Sequence, residues 1–378
     1  MSIDFTIEAK HGAARASRFV LAHGVVETPI FMPVGTQGIL KGIDCVSATN
    51  ILQTKLILAN TYHLYLRPGT DILSKASGIH SFANFNGNYL TDSGGFQAFS
   101  LGSNAKSDDT GITFQSHIDG SKHRFTPTKV IDIQYIINSD IMMVLDDLVA
   151  LPASKSRILD SINRTTKWAR QSIEYHNNQK NIREICNKIF AIMQGGIDYE
   201  MRKRSANELC ELDFDGYAIG GLAVGESNKD MYNCLDYAVA FLPENKPRYL
   251  MGVGTPQNLL ECIDRGVDMF DCVMPSRNAR NACIFTQNGK INIKNAGYKI
   301  DFSPLDSECE CYTCKHYSKA YLHHLFRAKE LSYHSLATIH NLFFYMQLMS
   351  NARNAILHGY WDKYKNNMLR KLEGSLWH

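Results

Sequence analysis

Residues 189–222 read IFAIMQGGIDYEMRKRSANELCELDFDGYAIGGL, and this stretch decides the fold class. The apolar run Ile189–Met193 has the length of a buried strand, and the amphipathic segment Tyr199–Leu212 suits a helix. A second apolar run, Tyr217–Ile219, follows a short turn. Each run ends in glycine, as Gln194-Gly195-Gly196 and Gly220-Gly221-Leu222. Such strand–helix–strand units are typical of α/β proteins with parallel sheets.

The same alternation extends over most of the chain. The runs predicted as strands are Pro29–Met32, Leu56–Ala59, Tyr89–Thr91, Ile141–Leu145, Ile189–Met193, Tyr217–Ile219, Arg248–Met251 and Asp268–Phe270. The predicted helices between them include Ser154–Asn177, Tyr199–Leu212, Lys229–Leu242 and Pro256–Arg265. Eight strands alternating with helices favour an α/β (β/α)8 TIM barrel over an open sheet. The long third connection predicts an inserted hairpin, with Ile112–Ile118 and His123–Thr126 as its strands.

A cysteine cluster near the C-terminus predicts a metal site. Cys309, Cys311 and Cys314 lie within six residues, and an imidazole from a following helix could complete a closed tetrahedral zinc site. The available histidines are His316, His323, His324, His334 and His340, of which His316 lies too near the cysteine loop. The alternative is that these are three unrelated loop cysteines. The zinc would be structural, because four protein ligands leave no position for water.

These features divide the chain into three parts. Residues 1–275 are predicted to form the barrel with N-terminal β elements and the hairpin insertion. Residues 276–345 are predicted to form an inserted zinc-binding subdomain, and residues 346–378 a C-terminal helix that closes on the barrel. A length of 378 residues with 44% hydrophobic content is ample for such a core.

Charge and cysteine usage narrow the class of partner. The other seven of the ten cysteines are scattered, no apolar run reaches membrane-spanning length, and the N-terminus lacks the pattern of a secretion signal, which indicates a cytoplasmic protein. The net charge is only +3, but residues 272–300 contain no acidic residue and five basic ones. These are Arg277, Arg280, Lys290, Lys294 and Lys299. A polyanion partner is one explanation, and a solvated basic face is the other.

The strand ends carry the chemistry. In a (β/α)8 barrel all carboxyl ends of the strands open on one face, and Asp92, Asp146 and Asp271 each follow a different strand. Two carboxylates across a glycosidic bond can divide the labour, one attacking the sugar and the other handling the proton of the leaving group. Helix capping is the alternative for each aspartate alone.

Other groups at the predicted mouth suit a purine. Gln194 and the backbone of Gly221 and Leu222 offer donors and acceptors, and Asp146 could accept from a guanine-type pair of N–H groups. Phe96 could stack on the base, although a buried core position is the commoner role of phenylalanine.

Specific motifs give the chain a family resemblance. They are Phe31–Thr36 (FMPVGT), Leu90–Gln97 (LTDSGGFQ), Gly216–Glu226 (GYAIGGLAVGE), Tyr249–Gly254 (YLMGVG), Met269–Pro275 (MFDCVMP), Arg277–Asn281 (RNARN) and the set Cys309, Cys311, Cys314 and His340. With these motifs in order, the chain resembles the bacterial tRNA-guanine transglycosylases, also called queuine tRNA-ribosyltransferases, over nearly its full length.

The resemblance implies a function and a role for each site residue. It implies a pentosyltransferase of queuosine biosynthesis, in which Asp271 is the nucleophile and Asp92 the general acid/base. It assigns base binding to Asp92, Phe96, Asp146, Gln194, Gly221, Leu222 and Met251. Arg277 and Arg280, with Lys290 and Lys294, would contact tRNA phosphates. The pattern Thr338-Ile339-His340-Asn341 selects His340 as the fourth zinc ligand, and the family implies a homodimer.

One segment departs from the family pattern. Asp146–Pro152 reads DDLVALP where most bacterial relatives carry DECTPYP, so Leu148 replaces a cysteine beside the base. Val224 is retained, which favours 7-aminomethyl-7-deazaguanine (preQ1) over queuine as the incoming base. Two rival functions stay open at this stage: a glycoside hydrolase, and a non-catalytic RNA-binding paralogue. Three tryptophans are few for a sugar-stacking hydrolase, and the presence of Asp92 and Asp271 argues against the paralogue.

Overall fold

Eight strands form one parallel sheet that closes on itself. The structure is a computed structural model and describes residues 3–373. Its strands in chain order are β1 Phe5–His11, β2 Ala14–Leu21, β3 Gly24–Thr28, β4 Ile30–Pro33, β5 Leu56–Asn60, β6 Asn88–Asp92, β7 Ser103–Asp108, β8 Gly111–Gln115, β9 Lys122–Phe125, β10 Ile141–Met143, β11 Lys188–Met193, β12 Gly216–Ile219, β13 Arg248–Leu250, β14 Met269–Cys272, β15 Cys283–Thr286 and β16 Gly289–Asn292.

The order of hydrogen-bonded neighbours establishes the barrel. It runs β4-β14-β13-β12-β11-β10-β6-β5. A parallel bridge between Val34 and Leu58 then joins the end of β4 to β5 and closes the ring. The barrel strands are almost entirely buried, as expected for parallel strands covered on both faces. The predicted (β/α)8 fold is confirmed, with every barrel strand within two residues of its predicted span at each end.

Helices surround the barrel and extend it at the C-terminus. They are α1 Cys45–Asn50, α2 Thr61–Leu64, α3 Thr70–Lys75, α4 Ile79–Ala83, α5 Gly95–Ser100, α6 Pro127–Ile137, α7 Lys155–Lys180, α8 Tyr199–Cys210, α9 Asn228–Ala238, α10 Pro256–Asp264, α11 Met274–Arg280, α12 Tyr312–His316, α13 Lys319–Ala328, α14 Leu331–Leu357 and α15 Trp361–Glu373. Side chains of Ser154, Asp198 and Thr255 cap α7, α8 and α10, which explains why these helices begin there. Among the described helices, none combines the length and apolarity that crossing a membrane requires.

Two buried carboxylates fasten the amino end of the barrel. Asp268, just before β14, accepts from Arg15 Nε at 2.8 Å and from Arg15 Nη2 at 2.5 Å. Asp140, just before β10, accepts from His23 Nδ1 at 2.7 Å and from His80 Nε2 at 3.0 Å. Arg15 and His23 belong to the antiparallel sheet β1–β3 and its turn. These polar contacts therefore hold the N-terminal sheet against the barrel.

The insertion after β6 differs from its prediction. Instead of a two-stranded hairpin it forms a three-stranded antiparallel sheet, β7–β9, so the prediction was incomplete. The missed strand, Ser103–Asp108 (SNAKSD), contains a single apolar residue, Ala105, and so carries no apolar period that could signal it. The turn between β8 and β9 contacts helix α2 at the carboxyl end of β5, where His117 Nδ1 lies 2.8 Å from Tyr62 Oη.

A second hydrophobic cluster forms the core of the C-terminal region. It joins α11, β15–β16, α13 and the first half of α14, through residues such as Ala279, Ile284, Leu322 and Tyr333. Helix α14 continues beyond this cluster into the main core. The boundary predicted at 345/346 therefore falls inside α14, and residues 374–378 of the predicted third part lie outside the described residues.

Helix α14 is anchored at several points along its length. Tyr345 Oη donates to the Gly254 carbonyl at 2.5 Å. Near its C-terminus, Arg353 Nη1 donates to the carbonyls of Ser17 (2.9 Å) and Thr28 (2.8 Å) in the N-terminal sheet. The helix thus contacts the strand-end loop after β13 as well as the opposite end of the barrel.

Candidate active site and metal cluster

A cavity of about 380 Å³ opens at the carboxyl ends of the barrel strands. Its size lies within the range of small-molecule sites. The predicted residues on its wall are Asp92, Phe96, Asp146, Gly221, Leu222, Met251 and Asp271, and the wall also includes Asn60, His63, Leu148, Val224 and Tyr249. Carboxylates that are far apart in sequence therefore share one cavity.

Asp271 is held by two neutral donors. Its Oδ1 accepts from the Tyr249 hydroxyl at 2.5 Å and from the Gly252 amide at 2.8 Å. Burial raises the pKa of the Asp271 carboxyl, and these two hydrogen bonds act against the rise. Both donors engage the same oxygen, so the orientation of the carboxylate is fixed.

Asp92 lies at the end of β6 and is held by the neighbouring strand end. Its carboxylate accepts from Asn60 Nδ2 at 2.5 Å, from the Thr61 amide at 3.1 Å and from the Gly94 amide at 3.2 Å. Burial raises the pKa of Asp92 to about 7, and the nearby charge of Asp271 adds to the rise. A carboxyl group with such a pKa can both accept and release a proton near neutrality.

Asp146 follows β10 and has neutral partners as well. Ser93 Oγ donates to Oδ1 at 3.4 Å, and Gln194 Nε2 donates to Oδ2 at 2.8 Å. Burial raises the pKa of Asp146 to about 7, with a further contribution from the charge of Asp147. Gln194 thus orients Asp146 and is not part of the cavity wall itself; its predicted contact with the base stays a prediction.

The cavity has an aromatic residue at its rim and a close-fitting backbone at its floor. Phe96 is 54% exposed, so it is not a core residue. Gly221 has a φ of +64°, and a Cβ there would lie 2.6 Å from Gln194 Oε1. Only glycine fits at this point, because a side chain would displace the residue that orients Asp146.

The segment after β12 is fastened by one carboxylate. Glu226 accepts from the amides of Ala223 and Val224, the latter at 3.1 Å. Peptide units are trans and planar, so the Leu222 carbonyl points away from Glu226. Leu222 lies on the cavity wall, and no hydrogen bond to its carbonyl is found among the described residues.

The predicted RNA-binding residues follow Asp271 along the chain. Arg277 is exposed on α11, which begins two residues after β14, and Arg280 Nη1 donates to the Ser276 carbonyl at 2.9 Å. Lys290 and Lys294 lie over the rings of Phe285 and Phe326, respectively. Arg277 and Arg280 therefore lie on α11, Lys290 lies in β16, and Lys294 lies two residues after β16.

Three cysteines and His340 converge at one point. His340 Nδ1 lies 3.7 Å from Cys309 Sγ, 3.4 Å from Cys311 Sγ and 3.2 Å from Cys314 Sγ. The other ring nitrogen, Nε2, lies 2.7 Å from the Phe285 carbonyl, which orients Nδ1 toward the sulfurs. The four residues could hold a metal ion, as predicted.

The remaining histidines have other surroundings. His323 Nδ1 lies 2.7 Å from the Ile293 carbonyl, and the His316 ring packs against Tyr312. His63 lies on the wall of the active-site cavity, where burial lowers its pKa and the charges of His117 and Lys41 add to the effect.

Sequence reasoning missed the residues that hold the carboxylates. Tyr249 lies two positions before Met251, and residues i and i+2 of a strand share a face, so the assignment of Met251 to the cavity could have indicated it. Asn60 and Thr61 hold Asp92 because β5 pairs with β6, which places Asn60 opposite Asp92. No local pattern reveals that pairing.

Comparisons with known proteins agree with this geometry. A family model described as queuine tRNA-ribosyltransferase matches residues 10–374. A queuine tRNA-ribosyltransferase of Helicobacter pylori strain J99 is 59% identical over 371 residues, covering 98% of both chains. One from Helicobacter acinonychis is 58% identical over 98% of both chains, and one from Helicobacter hepaticus is 55% identical over 97% of this chain and 98% of its own. The chain belongs to the queuine tRNA-ribosyltransferase family.

Proposed function

We propose that the protein exchanges the wobble guanine of tRNAs with GUN anticodons for 7-aminomethyl-7-deazaguanine, in queuosine biosynthesis. The observation that carries this proposal is the shared cavity of Asp271 and Asp92, in which one carboxylate is fixed by two donors on a single oxygen and the other has a pKa of about 7. Such a pair supplies a nucleophile and a proton carrier for glycosidic chemistry.

The exchange proceeds in two displacements at C1′ of the ribose. Asp271 attacks C1′ through an oxocarbenium-like transition state, the C–N bond breaks, and guanine leaves with a proton from Asp92. The incoming base then displaces Asp271 and gives its N9 proton back to Asp92. One nucleophile serves both half-reactions, so the kinetics are ping-pong, and two inversions give retention overall.

The walls of the cavity suit the flipped base. Asp146, held by Ser93 and Gln194, is placed to accept from the guanine-type N–H groups, and Phe96 and Met251 flank the base plane. The base must leave the RNA stack to reach a cavity of this kind.

The preference for the aminomethyl base rests on the Leu222 carbonyl. Glu226 engages the Ala223 and Val224 amides, which leaves that carbonyl as an acceptor for the ammonium group. Val224 and Leu148 also lie on the cavity wall, and their apolar side chains offer no hydrogen bond to the cyclopentenediol of queuine. Competition among guanine, the aminomethyl base and queuine for incorporation into tRNA tests this preference, and dominance of queuine would contradict it.

The tRNA partner accounts for the basic residues after β14. Arg277 and Arg280 follow Asp271 by six and nine residues along the chain, and Lys290 and Lys294 add positive charge in the C-terminal region. Phosphate contacts fix position without reading sequence. A tRNA substrate also places the protein in the cytoplasm.

We assign the Cys3His cluster to one structural zinc ion. Zinc bonds of about 2.3 Å to sulfur and about 2.0–2.1 Å to nitrogen separate S and N by about 3.6 Å in a tetrahedron. The three S···N distances of 3.2–3.7 Å agree with that value. The cysteines and His340 would bind the ion and fasten the cysteine loop to α14, away from the reacting atoms.

A second copy of the chain is the proposed partner for the apolar surface of the C-terminal region. Ile300, Phe302 and Leu331 are each at least 76% exposed, and Tyr321 lies on the same region. Large apolar side chains that are this exposed are candidates for an interaction surface. Light scattering of wild type and Phe302→Ser tests the homodimer, and a monomeric wild type would contradict it.

The covalent adduct gives the decisive test of the function. Wild type incubated with labelled GUN-anticodon tRNA should retain label on a denaturing gel, and Asp271→Asn should not. Added free guanine should release the label. A wild-type protein that binds tRNA but never forms the adduct would be the non-catalytic alternative, and release of reducing sugar from glycosides would indicate the hydrolase.

A further inference from the structure

The Tyr249 hydroxyl and the Gly252 amide leave one oxygen of Asp271 without a protein partner. Both donate to Oδ1, at 2.5 and 2.8 Å. Tyr249 is fully buried, so water does not compete for its hydroxyl. Among the described residues, Oδ2 receives no hydrogen bond. The free oxygen is therefore the one that can attack a sugar carbon.

We propose, resting on the function above, that Tyr249 is a positioning residue with two effects. It selects Oδ2 as the attacking atom, and its hydrogen bond to Oδ1 favours breakdown of the covalent intermediate in the second half-reaction. Neither effect requires Tyr249 to touch the substrate.

The second effect follows from the change in charge at Oδ1. In the free enzyme Oδ1 belongs to a carboxylate, whereas in the adduct it is the neutral carbonyl oxygen of an ester whose Oδ2 is bonded to C1′. Hydrogen bonds to charged acceptors are roughly twice as strong as those between neutral groups. Tyr249 therefore stabilises the carboxylate more than the ester. When N9 of the incoming base bonds to C1′, the C1′–Oδ2 bond breaks, its electron pair returns to the carboxylate, and the N9 proton passes to Asp92.

The ionisation behaviour of both groups agrees with this role. Burial raises the pKa of Asp271, and the Tyr249 hydrogen bond opposes the rise, which keeps more of the nucleophile ionised. Burial and the Asp271 charge raise the pKa of Tyr249 well above its usual value, so its hydroxyl remains a donor over the working range of pH.

Tyr249→Phe removes one oxygen atom and tests the inference. Enzyme and tRNA form adduct and free guanine, so the guanine concentration that reverses half of the adduct reports the internal equilibrium. That concentration should rise about tenfold in Tyr249→Phe, because the carboxylate loses a charge-assisted hydrogen bond. The pH below which adduct formation declines should also be higher in Tyr249→Phe, because the Tyr249 hydrogen bond lowers the pKa of Asp271.

Tyr345→Phe is the matched control. Tyr345 is buried, and its hydroxyl donates at 2.5 Å to Gly254 in the loop that also contains Gly252, without contacting Asp271. Its half-reversal concentration should equal that of wild type. An unchanged value in folded Tyr249→Phe, or equal shifts in both variants, would overturn the inference.

A second variant keeps the test open if Tyr249→Phe does not fold. Fluorotyrosine incorporated at position 249 is a stronger donor, so it should lower the half-reversal concentration; no change or a rise would overturn the inference. Failure of the proposed function is distinguishable, because the wild type would then form no adduct at all.

Discussion

The two ends of strand β14 carry aspartates in opposite electrostatic settings. Asp268, before the strand, accepts hydrogen bonds from Nε and Nη2 of the buried Arg15. Asp271, three residues later, has only the neutral donors Tyr249 and Gly252. Strand β10 shows the same contrast, since Asp140 before it contacts two imidazoles and Asp146 after it contacts a serine and a glutamine.

This contrast separates a structural carboxylate from a reactive one. A buried carboxylate paired with a cation stays ionised, and the pair connects the secondary-structure elements that carry its two partners. A buried carboxylate with neutral donors keeps a raised pKa and unused acceptor capacity, which is the condition of a site prepared for chemistry. The residue type is the same at the two ends, but Asp268 and Asp140 are buried, whereas Asp271 and Asp146 are partly exposed on the cavity wall. Charge compensation and access to the cavity together distinguish the two ends.

The largest effect is expected for Asp271→Asn. Exchange turnover should fall by at least about 10⁴-fold, as for loss of a covalent nucleophile. The free energy of unfolding should stay the same or rise, because burial disfavours the ionised Asp271 in the folded state. Guanine exchange and urea unfolding measure the two quantities. Strong destabilisation would remove the contrast with Asp268.

Asp268→Asn should show the opposite pattern. It leaves the Arg15 guanidinium buried without its anion, which should lower the free energy of unfolding by about 3–5 kcal/mol. Turnover per folded molecule should remain near that of wild type. Urea unfolding combined with active-site titration checks both, and a stable, inactive variant would contradict the assignment of this end to structure.

Loss of the metal should destabilise without removing the chemistry. Cys311→Ser, or treatment with a chelator, should lower the melting temperature by on the order of 5–10 °C, since metal binding contributes to folding. Adduct formation per folded molecule should persist, because none of the four residues of the cluster lies on the wall of the cavity that contains Asp271. Calorimetry and the denaturing gel test this. A folded variant unable to form the adduct would place the metal in the reaction.

The pKa of Asp92 predicts a pH dependence of stability. Its pKa of about 7 in the folded protein exceeds the ordinary value of 3.8, so the folded state holds the proton more tightly. Stability contributed by this proton should be lost as pH rises from about 4 to about 7. Asp92→Asn should therefore be more stable than wild type at pH 8, with a smaller difference at pH 4. An equal difference in the free energy of unfolding between Asp92→Asn and wild type at pH 4 and pH 8 would contradict the raised pKa of Asp92.

The smallest effect is expected for Lys294→Ala. Removal of one phosphate contact should weaken tRNA binding modestly and reduce the slope of log affinity against log salt by about 1. Lys55→Ala, at the amino end of β5, is the matched control and should leave the slope unchanged. A salt titration of tRNA binding measures both variants. Equal slopes in all three proteins would exclude Lys294 from the interface.

The sequence predicted the barrel well because of how parallel strands are buried. Runs such as Ile189–Met193 are apolar at every position, so they stand out without further information. Strand β7 has the sequence SNAKSD, and its pairing with β8 is set by the insertion as a whole. The locations of Asp92, Asp146 and Asp271 followed from their strand ends, whereas their roles came from the family resemblance.

The surroundings of the carboxylates required the structure. Tyr249 and Asn60 act on aspartates that are 22 and 32 residues away, across neighbouring strands. The hydrogen bond from Gln194 to Asp146 was likewise not predicted. Such contacts depend on the order of strands around the ring, and composition and periodicity do not encode that order.

Helix α14 fixes the spacing between the metal cluster and the barrel. His340 and Arg353 lie 13 residues apart on one uninterrupted helix, a span of about 20 Å, with Tyr345 between them on the Gly254 loop. A continuous helix anchored at three points is restrained against sliding or bending relative to the barrel. A tRNA bound to the C-terminal region, as proposed, would thus have its position relative to Asp271 set when the chain folds.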